Sequence, residues 1–114
     1  MKDDCIFCKI NNGLIPAKKL YEDDNFFVIA DIDPKCKNHY LAIPKNHYKL
    51  LKDMSDSDIK ALGEIFTTIP KLEELLHLQS GYRLIINQGE DAGMSVYHLH
   101  IHILSGQKMN WTPA

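Results

Sequence analysis

A chain of 114 residues, 45% hydrophobic and 25% charged, has the make-up of one globular domain spanning 1–114, long enough for a proper core. Its net charge of −2 at pH 7, with no Lys/Arg stripe between aromatics, excludes a nucleic-acid binder that works by bulk electrostatic attraction. No apolar run approaches the roughly 20 residues of a membrane span. Met1-Lys2-Asp3-Asp4-Cys5 lacks signal-peptide anatomy, and three cysteines, an odd number, suit a reducing cytoplasm better than a disulfide framework.

From Cys5 to Asn12, Ile6, Phe7 and Ile10 recur at helical spacing and Gly13 stops the segment, which predicts a short amphipathic helix. Lys19–Glu22 reads as a brief strand. Phe26–Ala30 reads as a second strand, apolar throughout and so buried on both faces. Asp31-Ile32-Asp33-Pro34 punctuates the chain before a third strand, His39–Ile43. Ser55 has the place of an N-cap, with Asp56 and Asp58 in the first turn behind it. The apolar positions that follow (Ile59, Leu62, Ile65, Phe66, Ile69, Leu72, Leu75, Leu76) predict one long helix, kinked or split by Pro70. Gly81 closes it, Tyr82–Asn87 is a fourth strand, and a polar loop from Gln88 to Ser95 leads to the last. Without an alternating βαβ rhythm, this order predicts an α+β fold. Its five-stranded, mainly antiparallel sheet would carry a short N-terminal helix and one long helix.

The last strand, His98-Leu99-His100-Ile101-His102-Ile103-Leu104, alternates strictly, so an extended backbone puts three imidazoles on one face and aliphatics on the other. Three readings compete. A surface strand would merely solvate the rings. A metal face would use His-x-His as ligands, though His98 and His102 stand ~13 Å apart at ~3.3 Å per residue, too far for one ion to take all three readily. Nucleophilic catalysis on phosphorus would let one neutral imidazole attack while a neighbour manages the leaving group. Elsewhere, Cys5-x-x-Cys8 reads as half a zinc site, a redox dithiol or two helix cysteines. For zinc, Cys36, His39, His47 and His98 compete as the remaining ligands. Asp31 is able to accept from two ribose hydroxyls or to make a turn before Pro34, a turn that Asp33 could also make. In Asn87-Gln88-Gly89-Glu90-Asp91-Ala92-Gly93-Met94-Ser95, small residues allow backbone N–H groups to approach a phosphate, or simply connect two strands. His39 supports the histidine strand through a hydrogen bond or lies at the surface, and His77 reads as a solvated residue at a helix terminus.

His98–Leu104 fits the His-Φ-His-Φ-His-Φ-Φ signature, Φ being apolar, and so resembles the histidine triad superfamily. The resemblance covers nearly the whole chain: Ile6-Phe7-Cys8-Lys9-Ile10, Ile15-Pro16-Ala17-Lys18, Asp31-Ile32-Asp33-Pro34, Ile43-Pro44-Lys45-Asn46-His47, Ser95-Val96-Tyr97-His98 and the Trp111 tail. It is most similar to the branch of purine nucleoside phosphoramidases, which hydrolyse AMP joined through P–N to an amine. The resemblance implies that His100 forms a covalent nucleotidyl intermediate and that His102 contacts the phosphate or leaving group. It assigns Asn87 and Ser95 to ligand and leaving-group contacts beside Gly93 and Met94, where such enzymes often carry Gln in place of Met94. It selects Asp31 for the ribose, with Ile6, Phe7, Ile10, Ile29 and Ile32 as walls of a base pocket. Metal-bearing members imply structural zinc on Cys5, Cys8, His47 and His98. The branch forms homodimers that lend the C-terminal tail, here Asn110-Trp111-Thr112-Pro113 in place of His-Trp-Pro-Pro, to the partner's pocket. A dinucleoside polyphosphate hydrolase and a nucleotide-binding regulator with incidental hydrolysis are the rival readings.

Overall fold

A computed structural model describes residues 4–110; Trp111, an expected substrate contact, lies outside the described residues. The elements run α1 (Ile6–Asn11), β1 (Tyr21–Glu22), β2 (Phe26–Ala30), β3 (Asn38–Pro44), α2 (Asp56–Thr68), β4 (Tyr82–Ile85) and β5 (Ile101–Ser105). The strands form one antiparallel sheet in the order β1-β2-β3-β5-β4. The expected α+β architecture is therefore present. No helix among the described residues is long and apolar enough to cross a membrane.

Alternation sorts the strand side chains onto two faces. Phe26, Val28, Ala42, Leu99, Ile101 and Ile103 pack with Leu62, Ile65, Ile69 and Leu72 of the helical segment on one face. Phe27, Ile29, Leu41 and Ile43 pack with Cys5, Phe7, Cys8 and Ile10 of the α1 segment on the other. Phe26, Phe27 and Val28 are wholly buried, as an apolar strand covered on both sides requires. Each such side chain contributes about 1.5–3 kcal/mol.

α2 begins at a capping box: Ser55 Oγ accepts the Asp58 N–H at 3.2 Å, and Asp58 Oδ2 accepts the Ser55 N–H at 3.0 Å. It ends at Thr68, and Ile69–Leu72 continues as a 3₁₀ turn with Pro70 in its first positions. Pro70 lacks the N–H a continuing α-helix needs, so the helix splits here. The buried stripe is narrower than its spacing implies, since Ile59, Phe66 and Leu75 are exposed. A helix on a twisted sheet buries the residues nearest the contact line and leaves its flanks wet.

Strand boundaries also differ from expectation. β1 and β4 are shorter, and β5 begins at Ile101, so His98, Leu99 and His100 precede the ladder. Here the Leu99 N–H turns to the Tyr48 carbonyl at 2.6 Å. The ladder of β3 with β5 stops at the pair Ala42–Ile101, while β3 itself runs on to Pro44 along β2, and the ladder of β4 with β5 stops at Ile85–His102. The alternation of faces persists through this approach even though the ladder does not.

Candidate active site and metal centre

Cys5 caps α1, its Sγ accepting the Cys8 N–H at 3.4 Å, so the x-x spacing puts both sulfurs at the helix start. His98 Nδ1 lies 3.2 Å from Cys5 Sγ, 3.6 Å from Cys8 Sγ and 3.2 Å from His47 Nδ1, and Cys8 Sγ is 3.4 Å from His47 Nδ1. A tetrahedral ion with bonds of about 2.0–2.3 Å requires ligand–ligand edges of roughly 3.3–3.8 Å. His98 Nε2–H donates to the Pro44 carbonyl at 2.8 Å, which leaves the Nδ1 lone pair for the cluster. Burial holds His98 neutral, its pKa lowered to about 4. The four residues thus fit a divalent cation of the zinc type, and of Cys36, His39, His47 and His98 the fold brings His47 and His98 to the cysteine pair.

Two residues on, His100 has a separate environment. Its Nδ1–H donates to the His98 carbonyl at 2.8 Å, so the proton sits on Nδ1 and Nε2 carries the available lone pair. Phe7 meets the rings of His98 and His100 edge-on, at 5.7 and 5.2 Å between centroids. One α1 side chain therefore braces both histidines.

His102 is oriented from β3. The Lys35 N–H donates to His39 Nδ1 at 3.0 Å, so neutral His39 carries its proton on Nε2. That N–H faces His102 Nδ1 at 2.9 Å and Asp31 Oδ2 at 3.3 Å. His102 Nδ1 is consequently an acceptor and its Nε2 bears hydrogen. Asp31, His39 and His102 lie near enough to suggest a second cation site, but the Lys35 amide makes His39 Nε2 a donor and not a ligand. Asp31 is additionally fixed through Oδ1, which accepts the Asp33 N–H at 2.9 Å.

His100 and His102 stand between two chambers. One of about 430 Å³ is lined by Asp31, His39, Asn87, Gly93, Met94 and Ser95 together with both histidines. The other, of about 590 Å³, is walled by Ile6, Phe7, Ile10, Ile29 and Ile32, and shares Asp31, Ser95, His100 and His102 with the first. Ile32 is fully exposed, so it forms a rim. The loop bearing Gly93 turns at Gly89 and Gly93, with φ of 90° and 79°, conformations that suit glycine. Sequence reasoning missed Asp33, Lys35, Ile85 and Leu104 in the first chamber. Ile85 faces it because β4 pairs it with His102, a register that the linear pattern does not specify.

Burial lowers the pKa of His39, and lowers that of His102 to about 4 with help from His100 and His39, against Asp31. Both rings accept a proton more readily in the unfolded chain, near their ordinary 6.5. Stability from keeping them neutral is complete above that pH and drains away as pH falls toward 4. A thermal midpoint that declines across this window is expected. His98, its pKa also lowered to about 4, adds to the same decline; replacing His39 by Gln removes one of these three groups and flattens it, and an unchanged acid profile would contradict the assignment.

A family model described as "Scavenger mRNA decapping enzyme C-term binding" matches residues 4–112. A histidine triad protein from Clostridium difficile is 42% identical, with 98% of each chain covered and a TM-score of 0.91. A HIT family hydrolase from Legionella pneumophila is 40% identical, with 97% of this chain and 100% of that one covered and a TM-score of 0.89. A zinc-bound histidine triad family protein from Mycobacterium smegmatis is 33% identical, covering 94% of this chain and 78% of that one, with a TM-score of 0.78. The chain belongs to the histidine triad superfamily.

Proposed function

We propose that the protein is a hydrolase of purine nucleoside phosphoramidates, AMP joined through P–N to an amine, acting through His100. The observation that carries this reading is the His100 tautomer. A ring held by its Nδ1–H to the His98 carbonyl presents Nε2 as a nucleophile where the two chambers meet. The apolar chamber takes the purine and Asp31 takes the ribose hydroxyls. Asn87, Gly93 and Met94 border the phosphate, and neutral His102 donates its Nε2–H to a phosphoryl oxygen.

In the first step the His100 Nε2 lone pair bonds to phosphorus while the substrate P–N bond breaks and its electron pair goes to the amine. That nitrogen takes a proton through the hydroxyl of Ser95, which faces solvent and is recharged from it. In the second step a water oxygen bonds to phosphorus, the His100–P bond breaks, and the water's proton leaves to solvent. His39 is a positioning residue that sets the His102 tautomer. Zinc held by Cys5, Cys8, His47 and His98 supplies a structural cross-link between the α1 segment and the approach to β5. Cys5, Cys8 and Cys36 form no disulfide among the described residues, which supports a cytoplasmic setting. The outer edge of β4, which carries no ladder among the described residues, supports pairing with a second copy and thus a homodimer.

Early quenching of a reaction with an adenosine phosphoramidate should yield a mass increment of one AMP on the peptide containing His100, and light scattering of the same sample should give twice the chain mass. An adduct on another residue, or turnover with no adduct under single-turnover conditions, sinks the mechanism. A monomeric mass sinks the pairing alone.

A further inference from the structure

The chamber beyond His102 has a composition that selects what leaves. Its wall on the sheet side is apolar: Ile85 stands opposite His102 in register, and Leu104 follows His102 on the same face of β5. Met94 closes the wall from the loop. It is buried, and its sulfur accepts the Gly89 N–H at 3.5 Å, which engages its polar atom with its own loop. Charge in the lining runs the other way from what a phosphate chain needs. Lys35 is its one Lys or Arg among the described residues, and Lys35 Nζ is held by Asp33 through the carboxylate at 2.6 Å and the backbone carbonyl at 3.1 Å. Asp31 and Asp33 both line the chamber, whereas Arg83, the next cation along β4, does not.

We infer that this chamber is a leaving-group site for an amine with an apolar body of about ring size, and that Ile85, Met94 and Asp33 determine that preference. The inference rests on the hydrolase reading above and names the amine class that it leaves open. A nucleoside di- or triphosphate leaving group brings several negative charges to a lining whose one lysine is already paired. Asp31 and Asp33 repel those charges, an effect that salt screens because the Asp33–Lys35 pair is exposed. An amine leaves uncharged, or takes up a proton beside two carboxylates. Its hydrocarbon part gains by covering Ile85, Met94 and Leu104.

The test compares AMP joined through nitrogen to phenethylamine with AMP joined to ethylamine, two primary amines that differ by the ring. Diadenosine tetraphosphate serves as the third substrate. The phenethyl conjugate is expected to exceed the ethyl conjugate about tenfold in kcat/KM, most of it in KM because the ring contact exists before and during the reaction. In Met94→Gln and in Ile85→Thr that ratio should fall to about threefold or less. A ratio of two substrates on one variant cancels any general damage to the fold. Asp33→Asn releases Lys35 and should raise turnover of the tetraphosphate relative to the phenethyl conjugate about fivefold at low salt, a gain that shrinks as salt is added. Equal kcat/KM for the two amine conjugates, or a ratio unmoved by both wall substitutions, overturns this inference and leaves the hydrolase reading intact. Faster cleavage of the tetraphosphate, or no cleavage of either conjugate, overturns both.

Discussion

His100→Ala is expected to lower kcat by roughly 10,000-fold or more while KM for the nucleotide changes by less than about fivefold. The split follows from the arrangement of the site. Alanine removes Nε2 and with it the covalent route, but the walls of the 590 Å³ chamber and Asp31 remain in place. His100 is buried against Phe7, so some loss of stability accompanies the change. His100→Gln keeps most of the volume and separates that cost from the chemical one. Single-turnover rates and binding of AMP to both variants check the point. A variant that retains a tenth of the wild-type kcat rules out His100 as the nucleophile.

The second large effect concerns the metal centre. α1 has six residues, far below the length at which an isolated helix persists in water, and Cys5 and Cys8 cross-link it to His47 and His98 if zinc is held there. Cys8→Ser is expected to abolish an otherwise equimolar zinc content and to lower the thermal midpoint by about 10 °C, the effect of some 2 kcal/mol or slightly more on a domain this size. It should also raise KM for the nucleotide about tenfold, since Ile6, Phe7 and Ile10 wall the apolar chamber, and touch kcat less. Chelation of the wild type should reproduce all three. Metal analysis, a melting curve and the KM–kcat split are independent readouts. Protein prepared with zinc that holds none, or a serine variant that melts with the wild type, excludes the cross-link.

The larger elements were legible because each rests on a local signal. Phe26–Ala30 is apolar throughout and is buried on both faces as far as Ile29; Ser55 and Asp58 form the reciprocal cap their spacing implies; Pro70 ends the helix as its missing N–H demands. The two faces of the histidine segment also follow from alternation. What stayed hidden depends on pairing between distant segments. Nothing in the linear pattern shows that β5 starts only at Ile101, because that boundary is set by where β3 and β4 stop offering partners. Nor does it show that Phe66 and Leu75 miss the core, which the line of contact with the sheet decides. In the site, Cys5, Cys8, His47 and His98 were identifiable as a set through family resemblance, whereas spacing alone left Cys36 and His39 in competition. The Lys35 amide that fixes His39, and through it His102, is a main-chain group and leaves no trace in residue identity.

The oxygen that aims His100 is the carbonyl of His98, not its ring. The same residue thus serves two centres through two chemically independent parts. Any amino acid at position 98 offers that carbonyl, while the imidazole faces the Cys5–Cys8–His47 cluster, the Pro44 carbonyl and the Phe7 ring. On the proposed mechanism, therefore, loss of the cluster's side chains would leave the His100 tautomer in place. A metal clamp held by that cluster could then be exchanged for ordinary packing at the N-terminal helix without moving the proposed nucleophile, because the His100 tautomer is written in the backbone.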